Sequence, residues 1–207
     1  MTGLLALFGG GPFVANDDLD RSLLAEVGAK TVVVLPTADA FEDPGTLIAA
    51  AMNWGERLGV DIEALMVMQR HDAEDAGAAG VIDAANAVYL VGDSPMHLRS
   101  ALKDTAVFHA LVGVIDRGGL VAGIGPSAAA LCDPMLDLRG GAFTLGLGLA
   151  PGLAVVPESE TWAADRLHRT ISLANTPLVE LPTGAAVVRR GGTWELSGDA
   201  VAHGELP

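Results

Sequence analysis

Ser127 lies in Ile124-Gly125-Pro126-Ser127-Ala128-Ala129, directly after the apolar run Leu120 to Ile124 and just before the small-residue run that ends at Leu131. A strand, a tight turn of small residues carrying Ser, and then a helix expose a hydroxyl at the top of a sheet, where it can attack a carbonyl. In that geometry the Ser holds a strained backbone, and the next N–H, from Ala128, points at the oxyanion that develops. Ser in a small-residue turn is also a common helix N-cap, and spacing alone leaves both roles open. A serine nucleophile needs a base. The five histidines are His71, His97, His109, His168 and His203. His97 starts a helix two residues past Pro95 and is the better candidate for a displaced base. His168 stands three residues after Asp165, a spacing that also describes an ordinary charge pair on a helix surface. None of the five pairs at i, i+4 or with Cys132, so the sequence holds no metal set, and no cofactor is implied.

The elements that must position these groups follow from hydrophobic periodicity. Leu4 to Phe8, Thr31 to Pro36, Ile62 to Met68, Ala87 to Val91 and Leu120 to Ile124 read as strands. Between them lie helical segments: Asp17 to Val27, Asp43 to Leu58 with Asp43 as N-cap and Pro44 in the first turn, Asp72 to Ala85, and Pro95 to Arg117 in two pieces. One more helix, about Thr161 to Leu173, precedes a C-terminal β-hairpin turning at Arg190-Gly191-Gly192. Strands alternating with helices imply an α/β fold: a doubly wound, mostly parallel sheet with helices on both faces. Ligands in such sheets bind at the carboxyl ends of the strands. That singles out three loops, Gly9 to Pro12 with Gly10 and Gly11, Gly92 to Pro95 with Asp93, and Gly125 to Ala128. Gly9-Gly10-Gly11 is not a dinucleotide-binding G-x-G-x-x-G.

The order GGG after the first strand, VVVLPTA on the second, YLVG on the fourth, GLVAGIGPSAAA at the turn and GLGLAPGLAVV beyond it resembles the cyanophycinase and dipeptidase E type of serine peptidase. The similarity spans residues 4 to about 170. The resemblance implies a class I glutamine amidotransferase-like (flavodoxin-like) fold. It also implies peptide or amide hydrolysis through an acyl-enzyme, with Ser127 as nucleophile and Ala128 as oxyanion donor.

Three departures fall at the site. The family's G-T-S-A-G-like turn reads G-P-S-A-A, with Pro126 for the Thr and Ala129 for the closing Gly. Its G-G-N-Q loop reads Gly92-Asp93-Ser94-Pro95, and a carboxylate there opposes an anionic intermediate. Its His-Phe segment reads Val156-Pro157-Glu158-Ser159, so Glu158 falls about where the base should be. A carboxylate with a pKa of about 4.3 is a poor base toward a hydroxyl, and loss of the His lowers turnover by roughly six orders of magnitude in serine proteases. Two readings follow: a hydrolase on Ser127 with impaired chemistry, or an inactive family member that binds a ligand or a protein. Gly92-Asp93-Ser94 with Asp165-x-x-His168 also echoes the GDS and D-x-x-H blocks of acylhydrolases, but there GDS follows the first strand and here the fourth.

Composition bounds the rest. The 207 residues fit one domain spanning the chain, residues 1–207. With 26 acidic residues against 12 basic and a net charge of −14, the chain is ill suited to nucleic acid or an anionic membrane. The basic pair Arg189-Arg190 reads as a hairpin tip. A lone cysteine, Cys132, permits no intrachain disulfide, reads as a small buried hydrophobe, and suits a reducing, cytoplasmic setting. The uncharged stretch Gly140 to Pro157 carries too many glycines and prolines for a membrane helix and reads as a buried strand with turns. The expected partner is a small peptide or amide-like ligand, whose acidic group Arg99 or Arg139 could meet, and pairing into a homo-oligomer is open.

Overall fold

The computed structural model describes residues 3–207. In chain order the strands are β1 Leu4–Phe8, β2 Thr31–Leu35, β3 Asp61–Ala64, β4 Ala87–Leu90, β5 Leu120–Ile124, β6 Cys132–Asp133, β7 Met135–Leu136, β8 Phe143–Thr144, β9 Ala150–Pro151, β10 Ala154–Pro157, β11 Leu178–Leu181, β12 Ala186–Arg190, β13 Thr193–Ser197 and β14 Val201–His203. The helices are α1 Asp17–Glu26, α2 Pro44–Leu58, α3 Arg70–Ala73, α4 Ala76–Ala84, α5 Pro95–Leu102, α6 Ala106–Asp116, α7 Pro126–Leu131 and α8 Ala164–Leu173. Seven strands form one sheet in the order β13-β12-β1-β5-β4-β2-β3. β1, β5, β4, β2 and β3 run parallel, while β12 joins antiparallel to β1 and carries the hairpin strand β13.

Alternation along the strands explains why helices cover both faces. Leu5, Leu7, Val33, Leu35, Val88 and Leu90 point to one side, where they pack on Ile82, Leu98, Leu111 and Val114 of α4, α5 and α6. Leu4, Ala6, Phe8, Val34 and Tyr89 point to the other, against Leu23, Ala51 and Trp54 of α1 and α2. A smaller sheet, β10-β11-β14, is covered by Leu167 and Ile171 of α8. Among the described residues no helix is long and apolar enough to cross a membrane. The Gly140 to Pro157 stretch forms the short strands β8, β9 and β10.

Three expected elements differ. The strand expected to reach Met68 stops at Ala64, because the Asp72 carboxylate takes the N–H groups of Met68 and Gln69 at 2.9 Å and turns the chain into α3. The helix expected over Asp72 to Ala85 is broken where Asp75 caps α4 by accepting from Ala78 N–H. The helix expected from Thr161 begins at Ala164, after a 3-10 turn at Ser159–Thr161. In the first two cases a side chain competes for backbone groups that periodicity alone assigns to the element.

The second face holds a buried carboxyl. Asp20 is 2% exposed and accepts hydrogen bonds from Tyr89 Oη at 2.8 Å and Trp54 Nε1 at 3.2 Å. Burial pushes its pKa up to about 7 despite those two donors. The folded carboxyl thus keeps a proton that the unfolded chain loses near pH 4, so stability is lost as pH rises from about 4 to about 7. Asp20→Asn is expected to remove this component. Urea unfolding across that window should show the variant gaining on the native chain by up to about 1.4 kcal/mol per pH unit.

Candidate active site

β1, β5 and β4 are neighbours in the sheet, so the loops leaving their carboxyl ends meet at one place. Gly125 follows β5, and its N–H donates to Phe8 O at 3.0 Å. Its backbone is left-handed, φ 61° and ψ −134°, and it caps α7. Ser127 is the second residue of α7 and is fully buried. Its Oγ donates to Gly92 O at 3.0 Å, tying α7 to the loop after β4. Two features expected of this turn are corrected. The strained backbone belongs to Gly125 and not to Ser127, which is helical, and the Ala128 N–H is taken by Gly125 O at 2.9 Å within the first helical turn.

The loop after β4 is pinned from its other side. Gly92 has φ 116°, and a Cβ on it would lie 2.6 Å from Asp39 N, so only glycine fits between β4 and the turn Thr37–Asp39. Asp93 N–H donates to Asp39 Oδ1 at 2.7 Å, and Ser94 N–H to Ala38 O. The Asp93 N–H is therefore committed to a carboxylate. Asp39 was not singled out from sequence, since a short T-A-D turn carries no chemical pattern of its own.

Glu158 directly follows β10 in a left-handed conformation, φ 49°, and its N–H donates to Gly9 O at 2.9 Å. The side chain lies over Gly10, where a Cβ would come within 2.7 Å of its Cγ. The structure thus brings Glu158, Gly10 and Gly125 together. Gly11, φ 64°, turns the loop toward Ala15 and Thr183. Further along that loop Phe13 is held by its ring against Trp54 and by Arg57, whose Nη2 donates to Phe13 O. Partial burial raises the Glu158 carboxyl above its usual range, with Asp93 and Glu160 adding like charge. Partial burial also raises Asp93, helped by Asp39 and Glu42. Developing negative charge on a substrate is disfavoured in such surroundings.

The histidines lie elsewhere. His97 Nε2 is 2.8 Å from Met68 O and its ring packs edge-on to Phe41, so the ring nitrogen is engaged by the loop after β3 and not by Ser127. His168 is exposed on α8, His71 pairs with Asp72, His109 rests on Phe108, and His203 Nε2 sits 2.6 Å from Glu180 Oε1. Cys132 is buried, and burial drives its thiol far above the usual range. Among the described residues no group of histidine, cysteine and carboxylate side chains could hold a metal ion. Beside the site a cavity of about 120 Å³ is lined by Asp93, Met96 and Arg139 among others, and Arg139 also reaches Asp137 Oδ1. Arg99 has a buried Nε without a partner.

Comparison with known proteins fits this arrangement. The model of peptidase family S51 matches residues 5–197. The chain belongs to peptidase family S51. Among its relatives are cyanophycinases of Trichormus variabilis and a Nostoc species, each 24% identical over 162 residues. That alignment covers 76% of this chain and 54% of each relative, so the chain spans about half the length of the curated relatives it matches. A crystal structure of a peptidase from an acI-B1 actinobacterium superposes with a TM-score of 0.84 at 25% identity, over 98% of this chain and 90% of that one. A candidate peptidase E protein of Listeria monocytogenes superposes with a TM-score of 0.73 at 17% identity, over 95% and 98% of the two chains, a likeness of fold alone. The S51 assignment and the mostly parallel sheet agree with the fold expected from the sequence.

Two outcomes test this geometry. Ser127→Ala should lower unfolding stability by about 1–2 kcal/mol, because a buried carbonyl loses its donor; chemical denaturation measures it. Asp93→Asn should bring the raised Glu158 carboxyl down by removing a like charge, readable by carboxyl NMR titration.

Proposed function

We propose that this S51 chain is a non-hydrolytic member of its family that uses the cleft at the carboxyl ends of β1, β5 and β4 to bind a small peptide or amide-like ligand. The observation that carries the reading is the state of Ser127, fully buried with its hydroxyl donated to Gly92 O. An activated serine needs a hydroxyl open to substrate and within hydrogen-bond reach of a base, about 2.6–3.2 Å. Neither condition is met, and the His97 ring nitrogen is engaged by Met68 O. The carboxylate field around Glu158 and Asp93 supports the same reading, since acyl transfer passes through an oxyanion that needs donors and not acceptors.

Membership of a peptidase family supports a peptide or amide as the class of ligand. The cyanophycinases that the chain matches are about twice its aligned span, and their named activity is not carried over. The rival reading, a hydrolase on Ser127 with His97 as a displaced base, requires Ser127 to leave α7 and His97 to leave Met68 together.

A fluorophosphonate probe read by intact mass is the direct test. The native chain is expected to remain unlabelled at neutral pH while folded. Stoichiometric labelling that Ser127→Ala abolishes would overturn the non-hydrolytic reading.

A further inference from the structure

The conformation expected of an elbow nucleophile is present in this chain, two residues before the serine. Gly125 sits between β5 and α7 with φ 61° and ψ −134°, the sharp, strained strand-to-helix turn on which such nucleophiles are presented. A Cβ built on Gly125 would lie 3.9 Å from Glu158 Oε1, 3.9 Å from Gly10 Cα and 4.0 Å from Gly9 O. These are ordinary contacts, so a small side chain has room there and faces the Glu158 carboxylate. A side chain at 127, by contrast, turns inward to the loop after β4.

The next residue is Pro126. In an elbow, the residue after the nucleophile supplies an oxyanion-binding N–H, and proline has none. Glu158 holds its own facing position through a left-handed backbone and its hydrogen bond to Gly9 O. Three changes therefore converge on one point.

We infer that Gly125, and not Ser127, occupies the nucleophile position of this fold, and that nucleophile, oxyanion donor and base have been replaced together by Gly125, Pro126 and Glu158. This inference rests on the non-hydrolytic reading and deepens it, because it accounts for the loss of chemistry at the position where chemistry would occur. A nucleophile restored at 125 faces residue 158, so its ionisation follows the charge carried there. Ser127 serves only to hold α7 to the loop after β4.

The experiment places a thiol at each position. Gly125→Cys and Ser127→Cys are exposed, folded, to iodoacetamide, which alkylates a thiolate: the sulfur attacks the methylene carbon, iodide leaves, and the thiol proton passes to solvent. Intact mass counts the adducts. Cys132 gives a silent background, being fully buried with a suppressed thiolate. The thiol at 125 is expected to take one adduct, and the thiol at 127 none until the protein is denatured. Adding Glu158→His to Gly125→Cys should speed labelling near pH 7 about tenfold or more and shift its pH profile downward, since an imidazolium lowers a thiol pKa whereas a carboxylate raises it.

Labelling at 127 in the folded protein, or a rate at 125 indifferent to residue 158, overturns the inference. Ser127→Cys exchanges one oxygen for sulfur and its fold is checked by circular dichroism beside the native chain, so its result decides even if Gly125→Cys fails to fold at a strained position. The two failures are distinguishable. Probe labelling of native Ser127 removes both readings, whereas a protected thiol at 125 with the native chain unlabelled removes only the assignment of the nucleophile position.

Discussion

Backbone approach at the carboxyl ends of β1, β5 and β4 constrains everything around the site. Three hydrogen bonds hold these ends together: Gly125 N–H to Phe8 O, Glu158 N–H to Gly9 O, and Ser127 Oγ to Gly92 O. The segments lie so close that side chains are excluded. A Cβ on Gly9 would fall 2.1 Å from Pro182 O and one on Gly92 2.6 Å from Asp39 N. Glycine is therefore required for packing at these two positions whatever the site does. The same contacts set where α7 begins, where Glu158 points and which way the loop after β4 turns.

On that rigid frame the electrostatics run opposite to those of acyl transfer. An oxyanion site gathers unpaired N–H groups into a dry pocket. Here the Ala128 N–H closes a helical turn and the Asp93 N–H is held by Asp39. The groups left facing the cleft include the Glu158 and Asp93 carboxylates, each raised first by partial burial and then by its acidic neighbours. The family's backbone is kept, and acidic side chains line the cleft where that backbone brings β1, β5 and β4 together.

Elsewhere the fold is held by apolar layers on the two faces of the sheet. Asp20 is a buried polar group within those layers, anchored by Tyr89 from β4 and Trp54 from α2. It couples the sheet to both helices on that face. A buried carboxyl of this kind is tolerated because it is neutral over much of the pH range and because both donors are satisfied.

The parallel strands, the helices between them and the C-terminal hairpin were legible in the sequence, because apolar residues recur with period 2 or 3.6 wherever one element must bury a face. That the Gly92 and Gly125 loops lie at the carboxyl ends of strands was legible too, and the strand order β1-β5-β4 brings them together. Element ends were not, since Asp72 and Asp75 capture backbone N–H groups that periodicity cannot see. The roles at the turn after β5 were not legible either. Glycine, proline and serine occupy consecutive positions of one short segment, and which residue bends and which points inward depends on what packs beneath. Only the tertiary structure, with Gly92 O accepting from the Ser127 hydroxyl and Glu158 facing Gly125, decides that the serine side chain turns inward and the glycine stands in the strained position.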